Sequence, residues 1–333
     1  MKVFLIIPVH NRLPHTIKCL SSINNQTFKN FEVIIVDGGS LDGTNRYIRM
    51  KYPQAKIIEG DESWWWTRSV YEGVKEVLKT STKRDFVLTM NNDCYFKGDY
   101  VSNLVKTSLD NKRAIVGSLI LDAENHNYVI DAGVKVNWKH GLIYGIADKI
   151  SNNIKFYTNR KIIRKVDTLP GKGTLIPVKV FGKTGNFNYK RLPHYLGDYE
   201  FFYRARKNGF KLIVSSNARL YNFVKITGSA HLKKHTAGYR EVLSLLFGRK
   251  SKLNIVDHAV FLLLCCPKKH LLKNFKNVGS KLFNYSLMVF PLYYIKEVIN
   301  VVRLLSHNIP IYWRQNPTIS KIKVHFKKFT QGF

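Results

Sequence analysis

The chain has 333 residues, 45% of them hydrophobic and 13% aromatic, which is enough apolar material for one large or two modest domains with a sizeable core. Its 54 Lys and Arg against 22 Asp and Glu give a formal charge of +32, so a polyanionic neighbour is expected, whether nucleic acid, anionic lipid or a phosphorylated substrate. Four cysteines without CxxC pairing or zinc-like Cys/His spacing argue against a disulfide scaffold and for a reduced, cytosolic chain.

From the N-terminus, short apolar stretches alternate with helical ones. "MKVFLIIPVHN" is expected to be a buried first strand rather than a signal peptide. Strands are expected at 3–9, 31–39, 55–60 and 85–93, with helices near 14–25, 43–52 and 67–80. Fully apolar strands separated by helices of about ten residues are the pattern of βαβ units on a parallel sheet. The chain lacks GxGxxG after its first strand and GxxxxGK[ST] throughout, which excludes the dinucleotide fingerprint and the P-loop.

Between about 112 and 230, the strands "RAIVGSLIL", "YVIDAGVKVNW" and "KLIVSS" mix with loops and with one helix at 197–209. That helix opens on acids and closes at Gly209, as capping and the helix dipole favour. Beyond 230 the strands stop. The helical stretches "YREVLSLLFG", "DHAVFLLLCC" and "YYIKEVINVVRLL" alternate with Lys clusters, and 18 basic residues face three acidic ones from 231 onward. No apolar run reaches the roughly 18–20 residues of a spanning helix. The expected organisation is an α/β domain over 1–230, its halves meeting near 100, and a basic helical region over 231–333.

In open α/β sheets, ligands gather at the carboxyl ends of the strands. Asp37 ends the second strand, Asp93 ends the fourth and Asp198 sits at the mouth of the later helix. Each alone reads as an ordinary turn or N-cap aspartate. With their surroundings, however, "FLIIPVHNR", "VIIVDGGSLDGT", "LTMNNDCYF", "GKGTLIPVKVFGKTGNFN" and "LGDYEFFYRARKNGFKL" resemble the ordered motifs of the family 2 glycosyltransferases over about residues 1–225. The stretch "DESWWWTRSV" at 61–70 is similar to a subset carrying a WWTG segment, rhamnosyltransferase-like enzymes of bacterial surface-polysaccharide assembly.

The resemblance implies a GT-A fold, that is, an α/β Rossmann-like mixed sheet for nucleotide-diphospho-sugars, here with a C-terminal α-helical extension. It implies an inverting, non-processive hexosyl- or deoxyhexosyltransferase, using a UDP- or dTDP-sugar to extend a lipid-linked cell-surface glycan. A processive synthase would carry QxxRW and membrane spans, and neither is seen. Asp198 is implied as the base that takes the acceptor hydroxyl's proton, and Asp93 as a ligand of Mg²⁺ or Mn²⁺ on the leaving diphosphate. Asn91 and Asn92 stand where the family's DxD-type motif has other positions and offer amides to ribose, phosphate or the metal's waters. Asp37 is implied to bond the base or ribose, with Pro8, His10 and Arg12 walling the same pocket. Gly173 is expected to let backbone approach donor or acceptor, Glu200 falls on the family's later acidic position, and Trp65, Trp66 and Arg68 are expected on the donor or acceptor cleft. Arg204, at i+4 from Glu200, is also suited to brace it. Two departures stand out: only the third position of the DxD-type motif is acidic, and Gly197 replaces the Glu before Asp198.

The basic, aromatic tail suits an interfacial surface on an anionic leaflet at the inner face of the cell membrane, or equally a packed helical cap with a solvated basic face. Two rival readings stay open. One is a catalytically inactive GT-A relative acting as a scaffold. The other, a nucleic-acid-binding protein, rests on charge without any recognition motif.

Overall fold

The computed structural model describes residues 1–224 and 239–287. In chain order, the first half runs β1 (Val3–Val9), α1 (Leu13–Asn24), β2 (Phe31–Asp37), α2 (Thr44–Lys51), β3 (Lys56–Glu59), α3 (Trp66–Val77), β4 (Phe86–Thr89), β5 (Cys94–Phe96), α4 (Tyr100–Asp110) and β6 (Ile115–Asp122). The second continues with β7 (Val129–Asp131), β8 (Val134–Asn137), β9 (Leu142–Gly145), α5 (Ile146–Ile150), α6 (Lys155–Thr158), β10 (Ile162–Ile163), β11 (Thr174–Pro177), α7 (Lys179–Thr184), α8 (Gly197–Lys207) and β12 (Leu212–Asn222). Helices α9 (Tyr239–Phe247), α10 (Ile255–Cys265) and α11 (Lys268–Leu287) follow.

The main sheet has the order β10-β12-β6-β11-β4-β1-β2-β3, with β5 added to β12 and β7 to β6. β1 pairs in parallel with β2 and β4, β2 with β3, and β6 with β12, whereas β11 is antiparallel to both neighbours. The mixed sheet is that of the GT-A fold. Strand β1 is covered on both faces, which is why it reads as a continuous apolar run. Phe4 and Ile6 pack with Val70, Val74 and Val77 of α3, while Leu5 and Ile7 pack with Leu20 and Ile23 of α1 and Leu104 of α4.

This topology collects several chain ends on one edge of the sheet. The carboxyl ends of β1, β2, β4, β6 and β12 lie there, and because β11 runs antiparallel, with Thr174 opposite Thr89, the loop leading into β11 opens on that edge too. Asn222, the last residue of β12, faces Cys94 across the β5 pair, which brings the Asp93 turn to the same place.

Several elements differ from the sequence reading. The fourth strand ends at Thr89 rather than 93: Met90 N–H still bonds the Ile6 carbonyl, after which the chain turns through Asn91–Asp93 into β5. The stretch 128–138 breaks into β7 and β8 in two different sheets, turning at Gly133. β11, read as loop, is a fully buried strand too short for any periodicity to show.

The chain divides into two compact units, Met1–Asn137 with Leu142–Gly228, and Trp138–Gly141 with Ser229–Phe333. In the second, Leu245, Leu246, Phe261, Leu262 and Leu271 are buried. The Trp138 ring lies 5.9 Å from Phe261, and the Asn274 amide donates to the Trp138 carbonyl at 2.9 Å. The Asn254 side chain caps α10 by accepting from Val256 and Asp257 N–H. Among the described residues no helix is long and apolar enough to cross a membrane. The expected helix at 293–305, which holds Tyr293 and Tyr294, and the tail residue Trp313 lie outside the described residues.

Candidate functional site

The first wall of the site is the pair of loops following β1 and β2. Asn11 N–H donates to the Ser40 hydroxyl and Leu41 N–H to Asn11 Oδ1, both at 2.8 Å, while the His10 ring N–H donates to the Gly38 carbonyl at 2.8 Å. Asn11 and Arg12 both hold left-handed backbone, φ 57° and 65°. Such strain survives only where surrounding bonds over-determine it, as these cross-loop bonds do. Asp37 is buried, with one carboxylate oxygen accepting from Ser40 N–H at 2.9 Å and the other from the Asn45 amide at 3.1 Å. Pro8 lies half-buried in β1 beside Val36.

Asp93 is 2% exposed, and its Oδ1 has no hydrogen-bond partner in the protein. Its Oδ2 lies 3.6 Å from the Arg12 guanidinium. A buried carboxylate oxygen without a donor is costly unless something completes it, and a hard divalent cation fits that atom. Among the described residues no group of three or more His, Cys, Asp and Glu is arranged to hold a metal.

The neighbouring amides have protein partners. Asn91 Oδ1 accepts the Trp66 indole N–H at 2.8 Å, and the Asn92 amide donates to the Thr16 hydroxyl at 3.0 Å. Asn92, expected to meet ligand, is 8% exposed and instead ties the Asp93 turn to α1.

Asp198, in the first turn of α8, closes the opposite wall. Its two oxygens accept Gly171 N–H at 2.7 Å and Tyr199 N–H at 2.8 Å. Burial pushes its carboxyl up to about 6, against the pull of these hydrogen bonds and of the Lys172 charge. Asp131, at the end of β7, is likewise raised to about 6 by burial, with Asp148 and Asp198 adding repulsion. The chain reaches Asp198 through Leu196 in left-handed backbone, φ 62°. The Pro193 carbonyl accepts Thr67 N–H at 3.2 Å, which ties this approach to the start of α3.

The three tryptophans separate. Trp64 packs on Gly60, and its ring carries the Arg68 guanidinium at 4.7 Å. Trp65, half-buried, meets the His194 ring at 5.2 Å just before Asp198. Trp66 lies against Gly171 and edge-on to Phe187, so its indole joins the Asn91 turn to the loop that holds Asp198.

Three expected ligand contacts are placed elsewhere. Gly173, φ 71°, is packed against Tyr100 and Ser118, where a Cβ would come within 2.9 Å of the Ser118 hydroxyl. The glycine that meets the site is Gly171. Arg68 is held by Trp64, Tyr189 and the Ser63 hydroxyl rather than by residues around Asp93. Glu200 is 3% exposed and accepts from Arg204 through both oxygens, at 2.6 and 2.9 Å. Arg204 in turn binds the Thr184 and Asn186 carbonyls, so the pair braces α8 against the turn after α7. Asp131, Lys172 and Asn222 carried no sequence signal of their own, since each is an ordinary residue that only the sheet brings to this edge.

The model of glycosyl transferase family 2 matches residues 4–185. Over 289 residues the chain is 21% identical to glycosyltransferase GlyA of Streptococcus pneumoniae, which spans 78% of this chain and 40% of GlyA. It is 23% identical over 136 residues to the putative glycosyltransferase EpsH of Bacillus subtilis, 40% of this chain and 38% of that one. The chain thus aligns with about two fifths of the length of these curated relatives. Among solved structures, GalNAc-T7 crystallised with UDP, GalNAc and Mn²⁺ superposes with a TM-score of 0.54 at 14% identity, covering 84% of this chain and 54% of that one. S. aureus TarS superposes at 0.53 and 16%, covering 90% and 48%. Both share the fold.

Proposed function

We propose, from the premise that this chain belongs to glycosyl transferase family 2, that it is an inverting, non-processive glycosyltransferase moving a hexosyl or deoxyhexosyl group from a UDP- or dTDP-sugar to a growing, lipid-linked cell-surface glycan. The observation that carries the reading is the pairing of two carboxylates on one sheet edge. Asp93 has a buried, partnerless oxygen, and Asp198 is pinned by two backbone N–H groups with its carboxyl raised to about 6.

In this reading Asp37 and the stitched loops around His10 and Arg12 take the nucleoside. Asp93 faces the diphosphate, with Arg12 beside it. A bound Mg²⁺ or Mn²⁺ would neutralise the leaving diphosphate, with Asp93 as its protein ligand. Asp198 accepts the proton of the acceptor hydroxyl as that oxygen attacks the anomeric carbon. The bond from that carbon to the diphosphate oxygen breaks and the configuration inverts. A base titrating near 6 is largely ionised at neutral pH yet basic enough to draw the proton. Trp65, near His194 and the approach to Asp198, offers an aromatic face to a sugar ring. The basic helices of the second unit hold the enzyme on an anionic membrane surface at the cytoplasmic face, where a lipid-linked acceptor is presented.

Screening nucleotide sugars by thermal shift with Mg²⁺ or Mn²⁺, followed by anomer-resolved product analysis, tests the assignment. A selective donor and an inverted product are expected. Stabilisation by no nucleotide sugar would favour a scaffold, and retained turnover in Asp198→Asn would end the assignment of the base.

A further inference from the structure

The loop Pro170–Thr174 is fixed at every residue but one. The Thr89 hydroxyl donates to the Gly171 carbonyl, and the Thr174 hydroxyl donates to the Pro170 carbonyl at 2.7 Å. Gly173 donates to the Thr89 carbonyl at 2.8 Å and accepts from the Ser118 hydroxyl at 2.6 Å. Lys172 is the residue whose side chain leaves this rigid loop. Its ammonium donates to Asn222 Oδ1 at 2.8 Å.

Asn222 is 1% exposed and pairs with Cys94, next to Asp93, and the following residue, Phe223, donates its N–H to the Asp93 carbonyl at 3.1 Å. On the other side, Gly171, adjacent to Lys172, holds Asp198. The ammonium is thus bonded to the strand end beside the Asp93 turn, from a loop whose preceding residue holds the Asp198 carboxylate. Its charge acts on Asp198 and Asp131 together.

In the proposed reaction, the bond that breaks joins the anomeric carbon to the diphosphate oxygen, over Asp93, while the acceptor oxygen, over Asp198, forms the new bond to that carbon. The leaving diphosphate carries several negative charges. Asp93 is the one acid of the "NND" turn, where the Asn91 amide oxygen accepts from Trp66 and the Asn92 amide NH2 donates to Thr16. A cation held by so thin a donor set leaves more of the neutralisation to fixed positive side chains. Arg12 supplies one from the nucleoside side.

We propose that Lys172 is a further donor-binding residue, its ammonium bonding the oxygens of the donor's diphosphate and stabilising the charge that develops as the sugar leaves. Asn222 orients that ammonium, and the flanking glycines keep the loop close enough for it to reach. The assignment rests on the reading of the site as a nucleotide-sugar transferase.

Calorimetric titration of the full chain with UDP, dTDP and uridine, with and without Mn²⁺, tests it in wild type, Lys172→Met and Lys172→Arg. Lys172→Met is expected to weaken nucleoside diphosphate binding by roughly 10- to 100-fold, the range for a lost hydrogen bond to a charged group. Uridine affinity is expected to stay unchanged and Lys172→Arg to recover most of the loss. Lys172→Gln serves in its place if the methionine variant does not fold. Diphosphate affinity equal to wild type in a folded Lys172→Met or Lys172→Gln protein would overturn the proposal while leaving the transferase reading intact. A wild-type protein that binds no nucleoside diphosphate would overturn both.

Discussion

Placing a methyl group on Gly171 tests whether the Trp66 indole is what joins the two walls of the site. A Cβ there would come 1.9 Å from Trp66 Cη2 and 2.3 Å from Cζ2, where carbon atoms pack at about 3.5–4.0 Å. The ring must then move by about 1.5 Å or more, and it is not free to do so cheaply. Its N–H bonds Asn91 Oδ1 at 2.8 Å and its edge meets Phe187 at a centroid distance of 6.0 Å. Overpacking of this kind costs about 1–3 kcal/mol, and losing the indole hydrogen bond adds about 1 kcal/mol. Gly171→Ala should therefore destabilise the protein by about 2–4 kcal/mol, a fall in Tm of roughly 5–15 °C for a domain of this size.

Trp66→Ala should itself cost about 2–4 kcal/mol, since the ring is only half-buried. In its background the methyl has room, so adding Gly171→Ala should cost less than about 0.5 kcal/mol, giving a coupling energy of about 2–3 kcal/mol. Urea denaturation of the four proteins measures this cycle. Additive effects, or a Gly171→Ala penalty in wild type below about 0.5 kcal/mol, would refute the contact as the bond between the walls.

Five further outcomes follow from the same geometry. With the Asp198 carboxyl raised to about 6 by burial and needed in its ionised form, kcat/KM should fall about tenfold per pH unit below about 6. Asp198→Asn should lose roughly 10²- to 10⁴-fold in rate while keeping nucleotide affinity, as read by steady-state kinetics alongside calorimetry. Asp131 is raised from 3.8 to about 6, so the folded state favours its neutral form. Its stabilising contribution is complete below about 3.8 and lost as the pH rises through about 6, and Asp131→Asn should therefore gain about 1–3 kcal/mol at pH ~8 and nothing at pH ~3.5 in denaturant titrations. Asp93→Asn should abolish the part of nucleoside diphosphate binding that Mn²⁺ adds, which chelation of the metal from the wild-type protein should reproduce. Glu200→Ala, which strips Arg204 of its carboxylate partner, should cost about 2–4 kcal/mol in stability with nucleotide affinity within about twofold of wild type.

The sequence by itself determined the alternation of strands and helices over the first hundred or so residues, because β1, β2 and β4 are buried on both faces and betray themselves as short apolar runs between amphipathic helices. It also placed Asp37 and Asp93 at or just beyond strand ends and Asp198 in the first turn of a helix, positions a linear pattern can carry. What it did not determine is which polar groups are already spent. The Asn91 amide is taken by an indole 25 residues earlier in the chain and the Lys172 ammonium by an amide 50 residues later, pairings that no local spacing encodes. Of two glycines in one loop, tertiary packing alone decides that Gly171 meets the site and Gly173 the core. The cause is β11, four buried residues inserted antiparallel between β4 and β6. Reversing that one strand carries its leading loop to the edge where the parallel strands end, and so puts Gly171 and Lys172 beside Asp198.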